Sequence, residues 1–254
     1  MYRAQNYVKA ETAEQAYQLN QKKNNAILGG GCWLRLGHRT IGTLIDLSGL
    51  GLGQIEDQED QVVLGAMTTL RQLETSPLLR QHFGELFADM TRHIVGVQFR
   101  NCATLGGSLA SRFGFSDILT GLLALDCQVE LAGAGVMPLV QYAAQPYDRD
   151  VLLRVMVRKN GRRAAYQSMR NTQTDLPVLT CAVSQGEDGS LRAVVGARPH
   201  RAQVLDGLSR ETLAEAVAAL PYGSNLRAGA DYRRHLSRVL SQRALEELEK
   251  EAAR

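Results

Sequence analysis

The sequence predicts a mixed helix-and-strand protein in two parts, and three observations carry that expectation. Over residues 1–157, short apolar strands alternate with short helical stretches and glycine turns. Past 158, three strands are followed by two helices. The charge changes at the same place. Residues 158–254 hold 16 Lys and Arg against 11 Asp and Glu, whereas 1–157 hold 13 against 15, so the parts carry +5 and −2. A boundary is therefore expected near 158, with no internal repeat or low-complexity tract.

The 254 residues are 44% apolar and 22% charged. A chain of this length buries about three quarters of its unfolded surface, enough for a substantial core. Lys+Arg 29 against Asp+Glu 26 excludes a strongly basic nucleic-acid binder and an acidic disordered chain. No apolar run approaches the roughly 18 residues of a membrane-spanning helix. The opening Met1–Tyr7 shows neither an apolar leader nor a lipidation motif, so a cytoplasmic, soluble protein is expected. Cysteines stand at 32, 102, 127 and 181, and histidines at 38, 82, 93, 200 and 235. Neither set has the close spacing of a zinc or iron–sulfur site, and buried free thiols with no resident metal are expected.

Taken in order, Thr12 suits the cap of a helix over 13–20, and Ala26–Leu28 is a short strand entering Gly29-Gly30-Gly31. Residues 41–47 and 61–66 read as strands. Thr68 or Thr69 caps a helix to Glu74, and Pro77 suits the first turn of the next. Residues 84–95 place Leu86, Phe87, Met90 and Ile94 on one helical face. A second glycine pair follows in Thr104-Leu105-Gly106-Gly107-Ser108. Then come a helix over 118–125, a strand over 127–131 and a buried strand over 151–157. Strands at about 163–170, 178–184 and 191–197 precede helices at 211–220 and roughly 230–250.

The two glycine clusters carry the chemistry. Glycines after a strand let the backbone take φ > 0 and approach a ligand closely. Consecutive amides can then form a concave nest for anionic oxygen such as a pyrophosphate. Two such loops, about 75 residues apart, could grip one diphosphate from both sides; an ordinary tight turn is the plain alternative for each. Familiar nucleotide motifs fail. The third glycine of GxGxxG falls on Leu34, and no Gly-Lys pair exists for a P-loop. GxSxG and HExxH are also absent.

The stretch Arg100-Asn101-Cys102-Ala103-Thr104-Leu105-Gly106-Gly107-Ser108-Leu109 resembles the RN-x-A-T-I-G-G-N-L signature of the FAD-binding subunits of molybdenum hydroxylases. That family includes the flavin domains of xanthine dehydrogenase, aldehyde oxidase and aerobic carbon monoxide dehydrogenase. Leu28–Leu34 resembles its A-G-G-T-D-L loop, and Gly65–Thr69 with Ser76–Leu79 its IGA-x-T-T … S-P-L-L segment. Ser116-Asp117-Ile118, Val151–Leu153 and Tyr166–Val183 follow in order, so the likeness covers about residues 1–200.

The resemblance implies an α+β protein: a vanillyl-alcohol-oxidase (PCMH)-type FAD-binding fold of two subdomains, about 1–50 and 51–157, and an α+β C-terminal domain over 158–254. It puts Ile27, Leu28, Gly29, Gly30, Gly31, Cys32, Trp33 and Leu34 in the first FAD loop. Thr104, Gly106, Gly107 and Ser108 form the second, with Ser111 beside the phosphates. Asp117 would accept hydroxyls at the adenosine end, or else cap a helix. Ile94, Leu152 and Gln167 fall near the flavin; Leu176 lies over the isoalloxazine or in the core.

Departures are visible as well. Cys32-Trp33 replaces the family's Thr-Asp, Ser108 its Asn, and Pro177 a small residue beside the flavin; Ser111–Phe115 departs from a run of small residues. Trp33 fits either the core or a cofactor contact. Arg100 would brace the second loop or face an acidic partner, and the basic turn 157–163 is a solvated hairpin or a docking patch. The implied activity is that of a flavoprotein subunit of an oxidoreductase. A molybdenum–pterin subunit and a 2Fe–2S subunit would be its partners, with NAD+ or another acceptor taking the electrons; no acid–base residue is nominated. The alternatives are a non-catalytic assembly scaffold and a self-contained flavin oxidase or dehydrogenase.

Overall fold

The computed structural model describes residues 1–252. The chain runs β1 (Arg3–Lys9), α1 (Ala13–Asn20), β2 (Ala26–Leu28), β3 (Thr40–Asp46), β4 (Ile55–Asp57), β5 (Gln61–Gly65), α2 (Leu70–Thr75), α3 (Pro77–Phe83), α4 (Leu86–Thr91), α5 (Val97–Arg100) and α6 (Leu105–Ala110). It continues through α7 (Asp117–Leu123), β6 (Cys127–Leu131), β7 (Gly135–Pro138), α8 (Leu139–Ala144), β8 (Leu152–Arg158), β9 (Arg163–Met169), β10 (Leu179–Gln185), β11 (Leu191–Gly196), β12 (Gln203–Leu208), α9 (Arg210–Ala218) and α10 (Ala230–Ala252). Two compact units result. The first takes Met1–Gln72, Val97–Ser111 and Cys127–Val157; the second takes Leu73–Gly96, Arg112–Asp126 and the chain from Arg158 onward.

The first unit holds two sheets. Strands β1, β3 and β2 lie parallel in that order. Parallel strands need crossovers, and α1 carries the chain from β1 to β2 on the other side of β3, starting where Thr12 Oγ1 accepts the Gln15 amide at 3.1 Å. Ala10, Ala16, Ile45, Leu47, Leu52, Val151 and Leu153 pack together beneath it. The second sheet has the order β4-β5-β8-β6-β7.

The second unit is built on the antiparallel sheet β12-β11-β10-β9. Its faces follow the two-residue alternation of strands. Leu179, Cys181 and Val183, with Leu191, Ala193 and Val195, meet Leu213 and Val217 of α9 and Leu240, Ala244, Leu245 and Leu248 of α10. The opposite face meets α7, where Thr120 and Thr180 share a buried hydrogen bond of 2.9 Å and Ser184 donates to the Ala124 carbonyl at 2.6 Å. Both faces are thus covered, and every residue of β10 from Leu179 to Ser184 is buried. A helix layer on each side explains why this strand is buried on both faces rather than on alternate residues.

Several expectations need correction. The helical pattern over 84–95 yields only α4. Gly84 (φ 60°) ends α3, the Thr91 hydroxyl turns back onto the Phe87 carbonyl at 2.6 Å, and Val95 sits at φ 50°. Strands β1, β4, β7 and β12 and helices α5, α6 and α8 have no counterpart in the sequence reading. β1 and β12 are edge strands with no fully buried residue, β1 exposed along nearly its whole length and β12 along half of it, so neither carries a buried apolar face. Cys32, Cys127 and Cys181 are buried as expected, but Cys102 is exposed. Among the described residues, no helix is long and apolar enough to cross a membrane.

Two outcomes follow. A methyl group on Gly196 would lie 2.4 and 2.5 Å from the hydroxyls of Thr120 and Thr180. Gly196→Ala should therefore cost about 1–3 kcal/mol of overpacking, read as a lower urea midpoint at unchanged slope. Asp89 on α4 is pushed up to about 6 by burial, against the pull of Arg92 and with Glu247, Glu85 and Glu251 adding to the rise. A carboxyl that keeps its proton longer folded than unfolded loses stability as pH climbs from about 4 to about 6. Asp89→Asn should flatten that decline in unfolding free energy measured across the same range.

Candidate cofactor-binding site

The two glycine segments, far apart in sequence, come together in the first unit. β2 pairs in parallel with β3 up to Leu28, and the chain then turns through Gly29–Gly31. Gly30 and Gly31 take φ values of 54° and 69°, conformations that glycine adopts without strain. The Gly31 amide reaches back to the Gly29 carbonyl at 2.5 Å, and a 3-10 turn over Leu34–Leu36 follows.

The second segment opens α6. Thr104 caps it, its Oγ1 accepting the Gly107 amide at 3.2 Å. An isolated bridge between Thr69 and Thr104, with the Leu70 amide donating to the Ala103 carbonyl at 2.9 Å, ties the segment to the start of α2. Here glycine is demanded by closeness. A Cβ on Gly29 would stand 2.9 Å from Thr104 Oγ1 and 3.4 Å from Gly107 Cα; one on Gly30 would stand 1.8 Å from the Cys102 carbonyl oxygen.

The two loops offer a ligand different things. In the second, the amides of Leu105, Gly106 and Ser108 are spent on the carbonyls of Thr68, Ala66 and Thr104. With Gly107 spent on Thr104, this segment is a capped helix start rather than the open nest its sequence suggests. What it presents is the exposed Gly107; the Thr104 hydroxyl, its proton unspent, is buried beside Gly29. In the first loop, the Gly30 amide makes no hydrogen bond among the described residues. A free backbone donor and an uncovered glycine suit an anionic, phosphate-like group. On that test the free Gly30 amide and the exposed Gly107 fit a pyrophosphate.

The remaining expected residues divide between the units. In the first, Ile27, Leu28 and Leu34 are half-buried against core clusters. Cys32 Sγ lies 3.8 Å from the Gly30 carbonyl, and burial pushes its thiol up. Trp33 is 49% exposed, so it is not a core residue. Ser108 Oγ donates to the Thr104 carbonyl at 2.9 Å and Ser111 Oγ to the Ser108 carbonyl at 3.3 Å. Leu152 is buried in β8.

Ile94, Asp117, Gln167 and Leu176 belong to the second unit. Gln167 Nε2 donates to Glu247 of α10 at 2.7 Å. Asp117 is 7% exposed, and Ser116, not Asp117, caps α7. Asp117 Oδ1 accepts from Arg170 Nη2 at 2.6 Å and from the Tyr166 hydroxyl. Burial pushes Asp117 up to about 6, while Arg170 and Tyr166 pull the other way; burial, then the Asp117 charge, raises Tyr166. This Asp117–Tyr166–Arg170 cluster was not legible in the sequence. Tyr166 and Arg170 lie 49 and 53 residues from Asp117, and only tertiary packing brings the three together.

With this geometry in place, comparison with known proteins is specific. A family model described as "FAD binding domain in molybdopterin dehydrogenase" matches residues 2–158. The nicotine 6-hydroxylase medium subunit of Paenarthrobacter nicotinovorans is 28% identical over 265 aligned positions, covering 90% of this chain and 91% of that protein. Among solved structures, reconstituted CO dehydrogenase from Oligotropha carboxidovorans superposes with a TM-score of 0.84 at 22% identity, over 95% of this chain and 96% of that one. Quinoline 2-oxidoreductase from Pseudomonas putida 86 gives 0.81 at 21% identity, over 95% of each chain. Those two likenesses establish a shared fold, the α+β architecture with a PCMH-type FAD-binding domain that the sequence led us to expect. Because the family model spans well over half of the residues, this chain belongs to the FAD-binding domain family of the molybdopterin dehydrogenases.

Proposed function

We propose that the chain is the FAD-carrying subunit of a molybdenum hydroxylase complex. The observation that carries the reading is the packing of Gly29 and Gly30 against Cys102, Thr104 and Gly107, which leaves the Gly30 amide unspent. Residues 1–157 would form the FAD-binding domain and 158–254 the C-terminal flavoprotein domain; the family match over 2–158 supports that division. A relative named as a medium subunit supports membership in a larger enzyme, with a molybdenum–pterin subunit and a 2Fe–2S subunit as partners. Bound FAD supplies such an enzyme with a relay between single-electron donors and a two-electron acceptor such as NAD+.

The chain's own part is to bind and orient. The Gly30 N–H would hold the pyrophosphate, with Gly29, Gly31, Gly106 and Gly107 allowing close approach, Thr104 capping the second loop, and Ser108 and Ser111 alongside. Cys32 and Trp33 stand where the family has a hydroxyl and a carboxylate, so backbone rather than side chain does more of the holding. Ile94, Leu152, Gln167 and Leu176 are assigned to the flavin end, and Asp117 to the adenosine end. A second reading, a scaffold that binds no flavin, is favoured by the amides already spent in α6 and by the Cys32–Trp33 substitution. No self-contained oxidase is needed to account for either loop.

Titration of the purified full chain with FAD separates the two readings. Stoichiometric uptake with a visible flavin band is expected, and a colourless protein after titration at micromolar concentration refutes the subunit reading. Gly107→Val is the sharper test. Gly107 is exposed, and its added Cβ meets only Thr104 Oγ1 at 3.2 Å. The fold should survive while FAD affinity drops at least ~10-fold, about 1.4 kcal/mol. Retention of stoichiometric FAD by this variant rules out the two-loop arrangement.

A further inference from the structure

Two of the four cysteines stand on the glycine segments, and both belong to the first unit. Cys32 follows Gly31 directly, and Cys102 stands two residues before Thr104. Both are free thiols, Cys32 buried and Cys102 exposed. Neither comes from the likeness to the flavin subunits. The family loop has Thr where Cys32 stands, and Cys102 fills the variable position of the RN-x-A-T signature. The pair is a feature of this chain.

Gly30 is the neighbour the two cysteines share. Its backbone lies against the Cys102–Ala103 peptide. A Cβ there would meet the Cys102 carbonyl oxygen at 1.8 Å, its carbonyl carbon at 2.7 Å and Ala103 Cα at 3.2 Å. After Gly30 the chain doubles back, the Gly31 amide reaching the Gly29 carbonyl at 2.5 Å. The Cys32 thiol thereby ends 3.8 Å from the Gly30 carbonyl oxygen. A disulfide joins Cα atoms only a few ångströms apart, and glycine has no side chain to hold the two residues away from each other. The thiols also sense one another. Burial pushes Cys32 up, the Arg35 guanidinium pulls it back, and the charge of Cys102 adds to the rise. Cys127, by contrast, is buried in β6, and Cys181 is buried in the second unit, where burial pushes its thiol up to about 12. An oxidant from solvent therefore meets Cys102 first.

We propose that Cys32 and Cys102 form a reversible disulfide that fastens the two glycine segments together, Cys102 being the thiol that an oxidant attacks and Cys32 the one that closes the bond. The oxidant is a hydroperoxide. The Cys102 thiolate takes one peroxide oxygen and becomes a sulfenic acid, while the other oxygen leaves as water or an alcohol. The Cys32 thiolate then attacks that sulfur. The S–S bond forms, the S–O bond breaks, and the hydroxide leaves as water with the proton shed by Cys32. Two electrons pass from the thiols to the peroxide, and a dithiol returns them by thiol–disulfide exchange. The bond lies across the contact between Gly30 and Cys102 and holds it shut. The inference stands apart from the subunit reading, because thiols can be counted with or without FAD.

The test exposes the full chain to hydrogen peroxide and counts thiols after denaturation. The count should fall from four to two, and dithiothreitol should restore it. Proteolytic mapping should recover the Cys32 fragment joined to the Cys102 fragment, with the chain still a monomer on a non-reducing gel. Cys32→Ser should lose the link and leave Cys102 as a sulfenic acid that dimedone captures. Cys102→Ser should keep Cys32 as an unmodified thiol under the same exposure, and Cys127→Ser should form the link as the parent does. Four thiols retained in the parent overturn the proposal. So does a link found only between separate chains, or an oxidised Cys102 beside an untouched Cys32 thiol. A Cys32→Ser chain that still loses two thiols overturns it as well.

Discussion

The candidate site depends on one steric constraint, the approach of the Gly30 backbone to the carbonyl oxygen of Cys102. No side chain fits at 1.8 Å, and Gly30 also needs its φ of 54°. Because the two segments touch there, Gly29 comes against the buried Thr104 hydroxyl and against Gly107. A single methyl at residue 30 would separate them. That contact is set by backbone packing, not by the side chains of Cys32 and Trp33.

The second unit solves a different problem. Its sheet is covered by helices on both faces, so polar groups on β10 must find partners inside. Thr180 finds Thr120, and Ser184 finds the Ala124 carbonyl. Asp117 finds Arg170 and Tyr166. Such pairings fix register more than they add stability, since each partner would otherwise be solvated in the unfolded chain. Buried Arg233 of α10 extends the same logic to the loops: Asn225 and the carbonyls of Gly223, Ala228 and Val178 around its guanidinium leave little freedom for 223–229.

Sequence reasoning succeeded where one local rule decided the outcome. Thr12 caps α1 because a short side-chain oxygen before an amide run has one good geometry, and Pro77 opens α3 because its fixed φ suits a first turn. The strands at 26–28, 127–131, 163–169 and 191–196 announced themselves by apolar, β-branched or alternating residues. It failed where the neighbour decided. The edge strands β1 and β12 exist because β3 and β11 template them, and the helix expected over 84–95 stops where Gly84 and Val95 leave the helical region.

By itself, the sequence determined the mixture of helix and strand, the positions of both glycine segments and, through their motifs, the family. Each follows from short-range chemistry: capping, β-propensity and the backbone freedom of glycine. The tertiary structure alone decided that Gly30 meets Cys102, that the amides of α6 are already consumed while that of Gly30 is not, and that Asp117 is enclosed by Tyr166 and Arg170. Those are contacts between residues remote in sequence. Their distances depend on strand register and close packing, which no local pattern encodes.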